Sequence, residues 1–492
     1  MSPPLPDQAL TRAAGASLVP GNAVRLLKDA AEHYPAWLLA VRGAREQVHL
    51  ECYILADDPV GREFAEALAA KAREGVRVRV VYDWMGALGR AGRRFWRGLR
   101  EAGVEVRCFN PPRLGAPLDW LRRDHRKSLV VDGRIAYVTG LCIAKEWAGD
   151  PARGLEPWRD TGVEIRGPAV VDVAQAFADA WAETGPPLPA RDAPAPPPPP
   201  EGSVALRVVA GTSFSTGAFR LDTLVATLAR RRLWLADAYF AGTATYVQAL
   251  RAAAHDGVDV RLLVPGAGSD IALVQAFSRA GYRTLLEGGV RVFEWNGPMM
   301  HAKTAVADGH WARVGSTNLN VASWLGNWEL DAIVEDDAFG QAMEEMYEQD
   351  LANATEVVLG AGRLLPGGRR LVPVSPPPRQ RRRATGSGPR AAAGAVRIGY
   401  SIGAAVTSRR ALGPAEASLS GRAGVLLVLL AGVTLVFPLV TAVPLAAIAA
   451  WVGLSLLARA WRLRRAGVQA LPGAAPREER GKDVADRRDG AA

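Results

Sequence analysis

Two short stretches of the sequence, HRKSLVVD at 125–132 and HAKTAVAD at 301–308, decide the fold. Both follow the pattern His-x-Lys-x4-Asp, with an apolar run of strand character between the lysine and the Asp-Gly that follows it. Because side chains alternate along a strand, the histidine and lysine of each copy share one face. A single His-x-Lys arises often by chance, whereas two copies at matched positions indicate a functional pair.

The rest of the chain repeats around these two stretches. Three further pairs of segments correspond: ECYI at 51–54 with DAYF at 237–240, GVRVRVV at 75–81 with GVDVRLL at 257–263, and GVEVR at 103–107 with GVRVF at 289–293. Self-similarity of this kind indicates an internal duplication. We therefore expect two lobes of the same fold.

Each block alternates strands with helices. The segment VRVRVVY at 76–82 has strand character, and the helical pattern EFAEALAAKAREG at 63–75 precedes it. This alternation predicts an α/β fold in which helices flank each sheet. A further helix is expected within 89–103, where an apolar stripe lies among five arginines. We interpret it as a surface helix docked by that stripe, and a membrane-binding helix is the less favoured alternative.

Composition divides the 492 residues into six segments. They are a first lobe at 1–183, a Pro-rich linker at 184–203, a second lobe at 204–359, a basic flexible linker at 360–422, a membrane hairpin with a basic flank at 423–465, and a charged disordered tail at 466–492. The proline run in the first linker predicts an extended spacer without a core of its own.

The hairpin is predicted from residues 423–458, which carry no charge over 36 positions. A single spanning helix needs only about 20 such residues, and Pro438 and Pro444 interrupt this run. Arginines flank both ends, which favours a helical hairpin with both ends on the cytoplasmic side; a buried soluble helix pair is the alternative. The first twenty residues lack a signal-peptide pattern, so we expect cytoplasmic catalytic lobes at the cell membrane.

The net charge of +10 is unevenly distributed. Residues 361–492 contain 21 basic and 6 acidic side chains, which leaves 39 basic and 44 acidic ones in residues 1–360. The lobes are therefore mildly acidic, and no nucleic acid partner is expected.

Cysteines and the remaining histidines give no sign of a metal site. Cys52, Cys108 and Cys142 are too few and too scattered for a disulfide framework or a zinc site. The histidines outside the motifs lack the spacing of metal ligands, so we expect them to be structural or exposed: His33, His49, His255 and His310. We expect neither a metal nor a cofactor.

The paired motifs suit phosphodiester chemistry. Exchange at phosphorus without a metal needs a nucleophile, an acid for the leaving alkoxide, and cations around the developing charge. Imidazole titrates near neutral pH, so one histidine can attack phosphorus while the other, protonated, delivers a proton. Near the second motif, GSTN at 315–318 offers hydroxyl, amide and backbone donors suited to a phosphate.

These segments resemble the phospholipase D superfamily, and within it the bacterial cardiolipin synthases. HRKSLVVDGRIAYVTG at 125–140 is similar to the first motif of that family, and HAKTAVADGHWARVGSTNLN at 301–320 with SWLGNWEL at 323–330 is similar to the second. The resemblance extends from about residue 21 to residue 351 and leaves out the C-terminal hairpin. It implies a bilobal fold, one shared active site and a covalent phosphatidyl-histidine intermediate.

The resemblance also implies roles for individual residues. His125 would be the nucleophile, and His301 would act as the acid and base. The phosphate would be held by side chains from both motifs: Lys127, Lys303, Asn318 and Ser316.

Four acidic residues complete the catalytic set that the resemblance implies. Asp132 and Asp308 would brace the motif loops. Asp160 and Glu329 match the acids that orient the histidines across the interface, Glu329 on the nucleophile and Asp160 on the second histidine. For Asp160, capping of a loop is the alternative.

The chain departs from the family pattern in two places. The first motif of the family usually reads Gly-Gly-x-Asn where this chain has TGLC at 139–142, so an amide donor is missing from that half. Cys142 is expected to pack in the core and not to act as a nucleophile. Ala238 stands where a proline is often found, and we regard that change as neutral.

The sequence therefore predicts a phosphatidyltransferase that converts two phosphatidylglycerol molecules into cardiolipin and glycerol, with anionic phospholipid in the membrane as its substrate. A phospholipase D-type hydrolase would use the same residues with water as the acceptor. A phosphodiesterase acting on nucleic acid is a weaker alternative because the lobes are acidic. A non-enzymatic membrane scaffold would leave two intact motifs without a role.

Overall fold

The computed structural model describes residues 7–112, 122–194 and 196–359, together with isolated positions between 425 and 457. The described residues of both lobes, at 7–111, 122–194 and 196–359, belong to one compact unit. The predicted hairpin lies almost entirely outside the described residues. Within the part of the chain that the structure describes, no helix is long and apolar enough to cross a membrane.

The strands of the described residues alternate with helices, as the sequence predicts. The strands are β1 (Val19–Lys28), β2 (Gln47–Cys52), β3 (Arg77–Asp83), β4 (Glu105–Phe109), β5 (Lys127–Val131), β6 (Ile135–Thr139), β7 (Thr161–Arg166), β8 (Val204–Gly211), β9 (Arg232–Ala236), β10 (Asp259–Pro265), β11 (Arg291–Trp295), β12 (Thr304–Ala307), β13 (Trp311–Gly315), β14 (Glu329–Glu335) and β15 (Ala354–Val357). The helices are α1 (Asp7–Ala14), α2 (Asp29–Gly43), α3 (Pro59–Arg73), α4 (Trp84–Ala87), α5 (Arg93–Glu101), α6 (Lys145–Ala148), α7 (Val170–Glu183), α8 (Gly217–Leu228), α9 (Ala244–His255), α10 (Ala272–Glu287) and α11 (Asp337–Ala352).

The strand order shows the duplication directly. Outward from the centre, the first lobe runs β1-β7-β6-β5-β2-β3-β4 and the second runs β8-β14-β13-β12-β9-β10-β11, with β15 added at its edge. The two series match strand for strand and meet at the antiparallel pair β1–β8. The predicted duplicated α/β fold is therefore confirmed.

Because side chains alternate along each strand, the two faces of each lobe's sheet pack against two different apolar clusters. In β5, Leu129 and Val131 face the cluster formed with α2 and α3, whereas Val130 faces the centre of the molecule. There β6 and β7 pack against β13 and β14, and Val138 and Val314 belong to the same buried cluster. The lobes thus share a core, which fixes their motifs relative to each other.

Two segments lie elsewhere than the predicted boundaries suggest. The first lobe was expected from residue 1, but α1 packs against α8, and its Leu10 belongs to the second lobe's apolar cluster. The Pro-rich linker was expected to be an extended spacer without a core of its own, and the structure adds that its Asp192 is buried and pairs with Arg79 at 2.8 Å and with Arg77 at 2.6 Å. A buried carboxylate needs such partners, and they hold this part of the linker on the first lobe.

Candidate active site

The two motif histidines are held by the opposite lobe through their main chains. Each lies just before its motif strand, β5 or β12. The His125 amide donates to the Trp328 carbonyl at 2.9 Å, and the His301 amide donates to the Arg159 carbonyl at 2.7 Å. Each of these hydrogen bonds belongs to a short parallel β-bridge between the lobes, one pairing Asp124 with Trp328 and the other pairing Arg159 with Met300. They set the position of each ring before its side-chain contacts are considered.

His125 is oriented by a carboxylate of the second lobe. Its Nδ1 atom lies 2.9 Å from Oε2 and 3.1 Å from Oε1 of Glu329, the first residue of β14. Asn327 donates to Oε1 at 3.0 Å. Because an ionised carboxylate only accepts, this contact assigns a proton to Nδ1 of His125, so Nε2 is the nitrogen that carries the lone pair in the neutral ring.

His301, in the second lobe, makes the equivalent contact with a carboxylate of the first lobe. Its Nδ1 lies 2.7 Å from Oδ2 of Asp160, and the Trp147 indole donates to the same oxygen at 2.8 Å. Burial alone would raise the pKa of Asp160, but His301, Lys303 and Trp147 together hold it well below its usual range. Asp160 is therefore an anion that fixes the ring of His301.

In the resting site, His301 is neutral. Its pKa is lowered to about 4, first by burial and then by the charge of Lys303, while Asp160 acts in the opposite direction. Lys127, from the first lobe, also lowers this pKa. The two histidines contact carboxylates of the opposite lobes, Glu329 and Asp160, so the two motifs meet where the lobes join.

Both motif lysines are fully buried beside their histidines. The Nζ of Lys127 donates to the carbonyl of His125, and the Nζ of Lys303 donates to the carbonyl of His301. Burial lowers the pKa of Lys303 to about 8, so it remains mostly protonated at neutral pH. Neither of these buried ammonium groups forms an ion pair with a described residue, which makes the site attractive to a phosphate.

The two other phosphate-binding candidates lie in different surroundings. Asn318 is buried, and its carbonyl oxygen has no hydrogen-bond partner among the described residues. Its amide nitrogen has only a long contact of 3.5 Å to Ser323. The Ser316 hydroxyl instead accepts from the Leu330 amide at 2.9 Å, which braces β14 next to Glu329. Asn318 is thus the freer of the two for a ligand.

Asp132 and Asp308 lie at the other end of the motif strands, about 20 Å along the chain from the histidines. The Asp132 carboxylate accepts the amides of residues 45–47 at 2.8–2.9 Å. The Asp308 carboxylate accepts those of residues 230–232 at 2.8–3.0 Å. Both contacts are those of a loop brace, and neither aspartate reaches the histidines, so counting them as catalytic is not supported.

The first lobe lacks a counterpart of the Ser316 hydroxyl for a steric reason. The strand registers align Gly140 with Ser316 and Cys142 with Asn318. A Cβ atom on Gly140 would lie 2.4 Å from Oδ1 of Asp160. Glycine is therefore required here because the carboxylate that orients His301 occupies the space.

Two tyrosines contact the histidine rings and were not among the predicted site residues. The Tyr53 ring lies 5.0 Å from that of His125 in an edge-on arrangement, and the Tyr239 ring lies 6.0 Å from that of His301. Both belong to the ECYI and DAYF repeat. Because a tyrosine occupies the same position in both copies of the repeat, the sequence alone could have identified these two residues.

Arg126, the middle residue of the first motif, was also missed. It is fully buried, and its guanidinium donates to the carbonyls of Glu329 at 3.2 Å, Gly211 at 3.0 Å and Ala176 at 2.7 Å. It also lies over the Trp328 ring, 4.8 Å from its centroid. The second motif has alanine at this position, so repetition gave no signal for Arg126.

Comparison with known proteins points to one family. The family described as "Cardiolipin synthase, PLD-like domain" matches residues 39–175 and 225–351. Cardiolipin synthase B of Escherichia coli K12 is 34% identical over 66% of this chain and 79% of its own length. Cardiolipin synthase A of Pseudomonas fluorescens SBW25 is 34% identical over 68% of this chain and 70% of its own length.

Other relatives are covered less completely or share the fold alone. A cardiolipin synthase of Halalkalibacterium halodurans is 34% identical over 63% of this chain, and the match spans 62% of that protein. The crystal structure of phosphatidylserine synthase from Haemophilus influenzae shares the fold, with a TM-score of 0.57 at 13% identity over 71% of this chain and 91% of that one. From the family match over both lobes and these relatives, the chain belongs to the cardiolipin synthase family of the phospholipase D superfamily.

Proposed function

We propose that this phosphatidyltransferase converts two phosphatidylglycerol molecules into cardiolipin and glycerol through a phosphatidyl-histidine intermediate. One observation carries the proposal: each motif histidine has its Nδ1 on a carboxylate of the opposite lobe. Both Nε2 atoms are thereby left to act on one phosphate. The buried lysines of both motifs supply positive charge for that phosphate.

In the first half-reaction, Nε2 of His125 attacks the phosphorus of one phosphatidylglycerol. The bond between phosphorus and the glycerol oxygen breaks, and that oxygen takes the Nε2 proton of His301. Glycerol leaves, and the phosphatidyl group stays on His125. Lys127, Lys303 and Asn318 donate to the non-bridging oxygens, where negative charge develops.

Substrate binding supplies the protonation state that this step requires. The pKa of His301 is low in the empty site because of burial and because of the charges of Lys303 and Lys127. A bound phosphodiester anion offsets those two charges and raises the pKa of His301. The acid is therefore formed only when there is a leaving group to protonate.

In the second half-reaction, a hydroxyl of another phosphatidylglycerol attacks the same phosphorus. His301 accepts the hydroxyl proton at Nε2, the bond between phosphorus and His125 breaks, and cardiolipin is released. Water in place of the second lipid would give phosphatidic acid, which is the hydrolase alternative. Exclusion of water therefore decides between the two products.

We also propose that residues 423–465 form a membrane hairpin that holds the catalytic lobes at the cytoplasmic face, with residues 360–422 as a flexible linker. The uncharged run between flanking arginines supports this arrangement. We expect a chain ending at residue 422 to be released from membranes by high salt, with the full chain retained. Equal retention of both chains after a salt wash would contradict the anchor.

The experiment for the reaction uses full-length protein and phosphatidylglycerol vesicles, with product analysis for the wild type, His125→Ala and His301→Ala. We expect cardiolipin and glycerol in equal amounts from the wild type, and loss of both in the variants. Phosphatidic acid without cardiolipin would establish the hydrolase instead. No turnover of lipid by the wild type would overturn the proposal.

A further inference from the structure

Helix α5 carries a concentrated basic surface. Its sequence RRFWRGLRE has four arginines and a single acidic residue. Arg93, Arg97 and Arg100 are spaced at i, i+4 and i+7, so they share one face, and all three are exposed. Trp96 and Leu99 are buried on the other side. The apolar stripe docks the helix, as the sequence predicts, and turns the arginines outward.

This surface is electrostatically unfavourable on its own. Arg93 and Arg97 carry like charges one turn apart, and Arg93 and Arg94 begin the helix at the positive end of its dipole. Among the described residues, no carboxylate pairs with Arg93, Arg94 or Arg97. An external anionic surface would relieve this repulsion.

Helix α5 begins at the catalytic end of the first lobe. Strand β3 leads to it and ends at Asp83, whose carboxylate accepts the amide of Asp124, the neighbour of His125, at 3.0 Å. The connection from β3 passes Gly86, which lies directly against the Tyr53 carbonyl. The Tyr53 ring in turn contacts His125. The arginines that start α5 therefore lie on the side of the lobe from which the site residues project.

Beside α5 runs a surface groove of about 570 Å³ between this helix and α3. Phe95 and Leu99 contribute apolar surface to its lining, and three arginines outnumber two acidic residues there: Arg62, Arg73 and Arg94 against Asp57, which pairs with Arg62, and Glu66. An amphipathic partner with anionic groups matches both features. A phospholipid surface has that chemistry, with phosphates above acyl chains.

We propose that α5 docks on an anionic bilayer surface and holds the catalytic end of the first lobe against its lipid substrate. The importance of this contact for catalysis rests on the proposed function, since only a lipid-using enzyme needs it. The contact itself is a binding property and is measured without turnover.

The test places a fluorescent probe on the helix in the full-length protein. Gly98 is exposed, and a Cβ there meets no atom within 4 Å, so Gly98→Cys accepts an environment-sensitive label. Gly43→Cys at the end of α2 is the matched control, because that glycine is equally open and lies at the opposite end of the sheet. The unmodified chain gives the background from the native cysteines. Vesicles contain phosphatidylcholine with or without phosphatidylglycerol.

We expect the probe at residue 98, and not the one at residue 43, to move into an apolar environment with phosphatidylglycerol vesicles, and the signal to weaken with salt. Removing three charges in Arg93→Gln/Arg94→Gln/Arg97→Gln should lower the ratio of docked to undocked probe at residue 98 by about 100-fold at a given phosphatidylglycerol content, at about fivefold per arginine. Arg45→Gln/Arg134→Gln/Arg230→Gln, with the same charge change at the opposite end, should leave it within about twofold.

Three outcomes would overturn the docking surface: no response at residue 98, an equal response at residue 43, or an equal loss in both triple variants. A response that needs no anionic lipid would overturn it as well. Phosphatidylglycerol turnover, measured in the same samples, reports separately on the proposed function. A probe response without turnover would retain the docking surface and reject the reaction.

Discussion

His125 and Glu329 lie in different lobes, 204 positions apart, and yet the ring of one meets the carboxylate of the other at 2.9 Å. The reciprocal pair, His301 and Asp160, meets at 2.7 Å. Each lobe therefore carries one histidine and the acid that orients the histidine of the other lobe. Neither lobe contains a complete catalytic unit, so a duplicated fold of this kind acts as one enzyme and not as two.

This exchange predicts the effect of neutralising the acids. Glu329→Gln keeps the shape of the side chain but removes the charge that stabilises a positive His125 in the intermediate. We expect a loss of about 10³–10⁴-fold in kcat, by analogy with the acid of other histidine–carboxylate pairs. The rate of cardiolipin formation from phosphatidylglycerol vesicles measures it.

Glu348→Gln, an exposed glutamate on α11, is the control for this substitution and should change the rate less than twofold. Asp160→Asn should be as damaging as Glu329→Gln because its role is equivalent. A Glu329→Gln variant that folds normally and retains more than a tenth of the activity would show that the contact is structural only.

Arg126 is expected to act as a positioning residue for Glu329. Its guanidinium binds the Glu329 carbonyl and two other carbonyls, so its loss frees the start of β14. Arg126→Ala should lower kcat at least tenfold with little change in KM, and should shift the acidic limb of the pH–rate profile that reports on His125. The activity should be partly restored by added guanidinium ion, which fits the space left by the side chain.

Arg126→Ala also removes buried hydrogen bonds, so its thermal unfolding must be followed beside its kinetics. A loss of stability with an unchanged pH–rate profile, and no rescue by guanidinium, would reduce Arg126 to a structural role. Arg126→Lys retains the charge but lacks the planar fork, and should fall between the wild type and the alanine variant.

Asp132 should matter for stability and not for the reaction. It has a left-handed backbone with φ of 51°, and its carboxylate accepts three successive amides far from the histidines. Asp132→Ala should lower the free energy of unfolding by about 1–3 kcal/mol, while kcat stays within about twofold at a temperature where both proteins are folded.

Asp132→Asn tolerates the same backbone and keeps one acceptor, so its loss of stability should be smaller. Urea unfolding of the three proteins, beside their turnover rates, makes the comparison. A large loss of kcat in folded Asp132→Ala would restore this aspartate to the catalytic set.

Much of this architecture is predictable from the sequence because the duplication repeats its signals. The spacing of the motifs, the strands that carry them and the pairing of tyrosines are all present twice, and the family resemblance points to the two acids. Tyr53 and Tyr239 repeat and could have been found in this way, whereas the other residues that were missed have no repeat. Arg126 corresponds to Ala302 in the second motif. Trp147, which donates to Asp160, lies in a four-residue helix that is too short to show a periodic pattern.

The misplaced segments have a different cause. Helix α1 was assigned to the lobe that follows it in the chain, but its apolar side packs on α8, about 200 positions later. Asp192 lies in a proline-rich segment whose composition suggests a solvated spacer, yet two arginines of β3 bury it. Such contacts depend on the tertiary arrangement, which local composition does not encode.

The last prediction concerns acid stability and a histidine outside the reaction. His33 is buried, and desolvation lowers its pKa to about 4 from the ordinary 6.5. As the pH falls, His33 therefore becomes protonated near pH 6.5 in the unfolded chain but only near pH 4 in the folded protein. The free energy of unfolding consequently decreases as the pH falls between these two values. The full effect of this shift is about 3 kcal/mol.

His33→Gln abolishes this titration, so the difference in unfolding free energy between the wild type and the variant should change by about that amount from pH 7 to pH 4. Taking the difference cancels the groups that both proteins share, including Asp222 and Asp237, whose raised pKa values act in the opposite direction. His255→Gln, at a side chain that is 89% exposed, is the control and should give a flat difference. Parallel stability curves for the wild type and His33→Gln would show that His33 has the same pKa in the folded and unfolded chains, which would contradict the lowered pKa.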